Sequence, residues 1–245
     1  MSKHPKPIQL KLPCVEPGTR WSFAPRNDEI INLESARESG NLDKLSRVMD
    51  RCYAANHNSH DTFGLCIDLW CYTLTRYSPG AEELYMETVR RMQPEAVQLA
   101  AEGFGILVNH FLMEGHYSDI LGPVYEDQAS RWKRSGLGQY FTPWPIAQCM
   151  AAIVTTDIDI EEKAPSFNEP CVGSGVMALA FRSAIAERYG RDAASKCIIT
   201  GLDIDMMCVK MAQIQLLLTN DCYMSDFFMA FVPEAIAMTQ GAVAT

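Results

Sequence analysis

Asn168-Glu169-Pro170-Cys171-Val172-Gly173-Ser174-Gly175 sets an acid and a proline ahead of three small residues, then runs into the apolar stretch Val176–Phe181. Small residues let the backbone turn sharply and let another molecule come close, and the apolar run reads as a helix whose first N–H groups would face that molecule. An ordinary glycine-rich turn before a helix fits the same eight residues. A second acid adds to the pattern. Cys197–Asp203 reads as a strand whose last residue, Asp203, lies 28 positions after Gly175. A carboxylate at the tip of the second strand of a doubly wound sheet accepts two hydrogen bonds side by side, as the two hydroxyls of a ribose require.

The elements that must position these residues are legible around them. Ala164–Glu169 reads as a short strand entering the turn, and 174–189 as a helix ending at Tyr189-Gly190. Met206–Leu218 reads as the next helix, N-capped by Asp205, with Val209, Ile214 and Leu217 on its buried side. Cys222–Phe227 is a candidate third strand, with Asp226 at its tip or in a surface turn. Thr142-Pro143 opens a helix carrying Ile146, Met150 and Ile153, so the 140–143 loop lies at a helix N-terminus; a proline-capped start with aromatic packing is the plainer reading.

Upstream, 29–114 reads as all-helical. Apolar residues at three- and four-residue spacings run over Glu29–Ala55, interrupted at Gly40-Asn41, and helices are expected over Thr62–Tyr77, Glu82–Met92 and Pro94–Glu114. His57 and His60 lack further ligands close by, so a helix N-cap at Asp61 or Ser59 is preferred to a metal, and no metal site is expected. Residues 1–28 hold five prolines and five Lys/Arg against Glu16 and Asp28, and read as an extended basic arm.

Composition narrows the function. With 245 residues, 48% of them hydrophobic, the chain can build a sizeable core, and a net charge of −9 argues against holding nucleic acid by bulk electrostatics. Nine cysteines without a Cys-x-x-Cys pair read as reduced core residues of a cytoplasmic protein. No uninterrupted apolar stretch approaches the roughly 18 residues of a membrane span, and no apolar leader follows Met1. Neither a membrane nor secretion is expected.

In order along the chain, DILGPVYE at 119–126, GQYFTPWPIAQCMA at 138–151, NEPCVGSG at 168–175 and ITGLDIDMMCVKMAQIQLLLTN at 199–220 resemble the N6-adenine DNA methyltransferases, in particular those like the modification subunit of type I restriction systems. The resemblance covers about 118–227. It implies an α/β fold, a partial Rossmann-like class I methyltransferase sheet of about three parallel strands with helices, preceded by an all-helical region. The implied organisation is an arm at 1–28, a helical region at 29–134 and an S-adenosylmethionine-binding domain at 135–245, truncated.

The resemblance implies S-adenosylmethionine as cofactor, with Tyr140, Phe141, Thr142 and Pro143 closing over its methionine end. Glu169, where the family usually has Asp, would accept from its amino group, beside Pro170, Gly173, Ser174 and Gly175. Asp203 would hold the ribose, Ile204 would pack on the adenine ring, and Asp226 would meet the adenine amino group, although Ser225 stands where the family usually has glycine. Catalytic residues are not assigned. The family's Asn/Asp-Pro-Pro-aromatic tetrapeptide, which holds the amino group of the flipped base, occurs nowhere in the 245 residues. The expectation is therefore a methyltransferase homologue retaining its cofactor half. The alternatives are one part of a split enzyme, or a non-catalytic module acting on a restriction–modification complex, DNA or a regulatory partner. Self-association or a partner protein completing the sheet is also expected.

Overall fold

The computed structural model describes residues 40–76, 78–131, 141–160, 163–219 and 228–231. The basic arm at 1–28, the stretch before Gly40, Tyr140 and the expected strand at 222–227 with Asp226 lie outside them.

Helix α1 (Asn41–Ala55) buries Leu45, Val48, Met49, Cys52 and Tyr53, one face at the spacing a 3.6-residue period dictates. Helix α2 (Thr62–Leu74) buries eight residues, Trp70 among them, and so sits inside the helical layer. A short α3 (Ala81–Arg90) follows, then α4 (Pro94–Val108), opened by its proline and continued by a π-helical turn, Asn109–Met113. The Trp70 indole N–H donates to the Ala100 carbonyl at 2.7 Å, and a Cβ at Gly103 would stand 2.9 Å from the indole ring, so Gly103 is what lets α4 seat on Trp70. Pro94–Met113 is apolar and long enough to cross a membrane by composition alone. Its buried residues, Ala96, Leu99, Ala100, Gly103, Leu107, His110 and Phe111, instead face the protein core.

Helix α5 (Leu121–Arg131) lies within the helical region implied for 29–134; Pro123 is accommodated in its first turn, where its missing N–H costs no bond. Helix α6 (Trp144–Val154) turns out differently from its pattern. Ala147 and Ala151 are its buried residues, while Ile146, Met150 and Ile153 face outward.

Strand β1 (Ser166–Glu169), helix α7 (Val176–Tyr189), short helix α8 (Arg191–Ser195), strand β2 (Ile198–Asp203), helix α9 (Met206–Leu218) and strand β3 (Phe228–Phe231) complete the order. The sheet runs β1-β2-β3 and is parallel throughout, Ser166 pairing with Ile198 and Thr200 with Phe228. Helical crossovers between parallel neighbours make this a partial Rossmann-like sheet, as the sequence implied. The described third strand, Phe228–Phe231, follows the expected 222–227 segment, which lies outside the described residues.

Helix α9 is the pivot. Residues on several of its faces (Cys208, Met211, Ala212, Ile214, Gln215, Leu216) are buried, because it is enclosed between the helical layer and the sheet. Lys210 on its remaining side pairs with Asp68 of α2 at 2.6 Å. One core runs from Leu45 through Trp70 to Ile199 and Leu218.

Candidate functional site

The strand pairing continues past Glu169, since the Val172 N–H donates to the Leu202 carbonyl at 2.8 Å. This holds the 170–175 turn against the C-terminal end of β2. The Gly173 N–H then donates to Asp203 Oδ2 at 2.9 Å, and Asp203 Oδ1 accepts from the Asp205 N–H at 2.9 Å. Asp205 in turn caps α9 by accepting from the Met207 N–H at 2.9 Å, as its position in the sequence predicts. Asp203 is half-buried, and each of its oxygens has one lone pair beyond these bonds. Ile204, next to it, is 61% exposed.

Gly173 has φ +54°, and a Cβ on it would come within 3.0 Å of the Phe141 ring. Phe141 is thus the wall facing the turn. Its N–H donates to Glu126 Oε1 at 2.8 Å and its ring meets Tyr125 at 5.7 Å, so α5 fixes the position of the 141–143 loop. The Pro143 carbonyl accepts from the Ile146 N–H at 2.9 Å as α6 begins, and Thr142 is half-buried. Glu169 Oε1 accepts from the Cys171 N–H at 3.2 Å; Pro170 and Cys171 are exposed. The structure therefore brings together Phe141, Gly173, Asp203 and Ile204 from three separate stretches.

Ser174 and Gly175 face the other way. The Ser174 hydroxyl is fully buried and donates to Asp119 Oδ2 at 2.5 Å, while a Cβ at Gly175 (φ +98°) would meet Ala212 Cα at 3.0 Å. Asp119 Oδ1 accepts from the Gly122 N–H at 2.9 Å and from Gln215 Nε2 at 2.8 Å. Gln215 Nε2 also donates to the Ser174 carbonyl at 2.8 Å, and Gln215 Oε1 accepts from the N–H groups of Ile120 and Leu121 at 2.9 and 3.2 Å. Asp119, Ser174 and Gln215 form a buried clasp joining the start of α5, the glycine turn and α9. Burial pushes the Asp119 carboxyl above the ordinary carboxylate range, against the pull of the Ser174, Gly122 and Gln215 hydrogen bonds. Sequence reasoning missed it. No local spacing links residues 55 and 96 positions apart.

His57 and Asn58 adopt left-handed backbone conformations in the turn after α1. Asp61 is the N-cap of α2 but its side chain makes no capping bond; Asn56 ties the turn instead, donating to Thr62 Oγ1 at 3.0 Å and accepting from the Gln93 N–H at 3.1 Å.

Residues 116–228 match the family model described as N-6 DNA Methylase. The match covers a little under half of the 245 residues. The matched segment contains the Asp119 clasp, the Phe141 wall, the glycine turn and Asp203. No curated protein matches the chain. Among solved structures, similarity is found to a protein of Listeria monocytogenes assigned to the class I S-adenosylmethionine-dependent methyltransferases, at 13% identity and TM-score 0.49 over 79% of this chain and 53% of that one. Similarity is also found to the methyltransferase subunit of a type I restriction-modification system from Streptococcus thermophilus, at 13% identity and TM-score 0.42 over 81% of this chain and 58% of that one. The chain spans little more than half the length of either.

Proposed function

We propose that this matched segment is the cofactor-holding part of an S-adenosylmethionine-dependent methyltransferase acting on the N6 amino group of adenine in DNA. The observation that carries the proposal is the convergence of Phe141, Gly173 and Asp203 at one end of the sheet, within the segment that matches the family. The fit is specific at Gly173. With no side chain at Gly173 to hold it off, the Phe141 ring closes directly on the turn, so the 141–143 loop and the glycine turn form one contact surface. Asp203 retains lone pairs for two ribose hydroxyls while its backbone bonds hold it still, and exposed Ile204 offers an apolar face to an adenine ring. Phe141, Thr142 and Pro143, with Tyr140, are assigned to the methionine end, and Glu169 and Pro170 to its amino group. Ser174 and Gly175 shape the turn from behind, and Asp226 is kept as a contact to the adenine amino group. S-adenosylmethionine supplies the activated methyl group when bound. The protein's residues place it and screen it from water.

The absence of an Asn/Asp-Pro-Pro-aromatic tetrapeptide from the 245 residues favours a second reading: a module that binds the cofactor without transferring its methyl group alone, acting through DNA or a partner protein in the cytoplasm. Transfer of tritiated methyl from S-adenosylmethionine to adenine-containing duplex DNA separates the two. The second reading expects cofactor binding without transfer by the 245-residue chain. Transfer by that chain, abolished by Gly173→Asp, would instead mean that another residue receives the adenine amino group.

A further inference from the structure

At the end of α4 the helix widens into the π-helical turn Asn109–Met113, and the chain reverses at Gly115 (φ +74°) to bring His116 back beside His110. The two imidazole rings lie 4.9 Å apart, and both histidines are more than nine-tenths buried. His110 Nε2 lies 3.2 Å from the Ser118 carbonyl oxygen and 3.1 Å from its hydroxyl. A carbonyl only accepts, so that bond puts the proton on Nε2 and leaves Nδ1 as a bare lone pair. Among the described residues, buried Nδ1 has no hydrogen-bond partner. Structural histidines in a core normally satisfy both nitrogens, so an orphaned acceptor beside further ligand-type groups needs an explanation.

The further groups are Glu114 and His116, joined at 3.0 Å through Oε2 and Nε2. One ligand atom from each of His110, Glu114 and His116 lies within 4.8 Å of the others. In a tetrahedral zinc shell with bonds of about 2.0–2.1 Å, neighbouring ligand atoms stand about 3.3 Å apart. Closing the site therefore asks for a modest inward movement, which Glu114 can make because its side chain is 33% exposed. The surrounding bonds are those that orient metal ligands. The Ser118 carbonyl fixes the His110 tautomer, while Asn41 Nδ2 and Asn109 Nδ2 donate to the two Glu114 oxygens at 2.8 and 2.6 Å. Single π-helical turns recur at functional sites, and this one carries the buried His110.

We propose that His110, Glu114 and His116 form a zinc site, His110 binding through Nδ1 and a water completing the shell. Two imidazoles and one carboxylate are a zinc donor set. The metal would pin the 114–118 loop, which leads directly into Asp119 of the buried clasp, and the Arg191 guanidinium already holds that loop by donating to the Gly115 carbonyl at 2.6 Å. The role is structural and stands independently of whether the chain binds S-adenosylmethionine.

The test uses untagged full-length protein, stripped with chelator and titrated calorimetrically with zinc chloride. One equivalent should bind, and metal at a hundredfold excess over Kd should raise Tm by about 5–10 °C. Glu114→Gln and His116→Ala should each weaken binding at least tenfold. If those variants fold poorly, cobalt(II) added to the wild type decides by itself: visible d–d bands without a thiolate charge-transfer band show nitrogen and oxygen ligands. Absence of saturable binding would overturn the proposal. So would a thiolate band, which would place the metal on a cysteine, or an affinity unchanged in both variants.

Discussion

Asp119 holds three donors on two oxygens, and the way they are shared decides which substitutions the site tolerates. Oδ1 accepts from Gly122 and Gln215, whereas Oδ2 meets only the Ser174 hydroxyl, a rotor that can donate or accept. Asp119→Asn should therefore keep all three contacts, with the new amide donating to Ser174. Asp119→Ala strands three buried donors at roughly 1–3 kcal/mol each and should cost about 3 kcal/mol or more in chemical denaturation. The pH dependence has a definite sign. The Asp119 pKa is raised in the folded protein, so the native state binds more protons than the unfolded chain between the unfolded and folded values. This group's contribution to stability is fully present below the unfolded pKa and falls as pH rises through the folded one. Denaturation midpoints of wild type and Asp119→Asn across the acid range should show that fall only in the wild type. A wild type that loses no stability relative to Asp119→Asn over this range would contradict the assignment.

Among the elements, α9 was legible to the residue because a local cap at Asp205 and a continuous apolar run define both ends. The glycine turn was equally readable, since Gly173 and Gly175 both adopt positive φ. The strand starts were less so, β1 and β2 beginning at Ser166 and Ile198 and not at Ala164 and Cys197, because short strands carry few residues to fix their ends. The outward face of α6 was missed for a different reason. Its apolar period identifies a helix but does not say which side is buried, and the small residues Ala147 and Ala151 pack against Val176 and Ala180. The two turn glycines should separate in experiment. Gly175→Ala meets the α9 backbone and adopts a disfavoured φ, so it should lose about 1–3 kcal/mol in urea denaturation. Gly173→Ala meets a ring that can move, and should reduce cofactor affinity more than stability. Equal effects of the two on stability would contradict this division. Cys171, exposed in the same turn, should alkylate more slowly with S-adenosylmethionine bound, whereas exposed Cys149 should not change; peptide mass spectrometry reads both, and equal rates at Cys171 would count against the site.

At the scale of the whole molecule, two surfaces invite a neighbour. Among the described residues, β1 pairs on one side only, and α6, the element just before it, exposes Ile146 (53%), Met150 (47%), Ile153 (69%) and Val154 (55%) on consecutive turns. An unpaired strand edge and an exposed apolar stripe both mark association surfaces. Self-association or docking of a completing partner is the proposal that follows. Light scattering over a concentration series should show growth in mass that Ile153→Glu reduces, and a monomer at every concentration would remove the self-association reading. The central claim remains the cofactor, and isothermal calorimetry with S-adenosylmethionine tests it most directly. The wild type should bind one equivalent. Asp203→Ala, which removes a carboxylate from both the turn and the ribose, should bind roughly ten- to a hundredfold more weakly, a loss on the order of 1.5–3 kcal/mol. No binding heat from folded wild-type protein at millimolar cofactor would contradict the account.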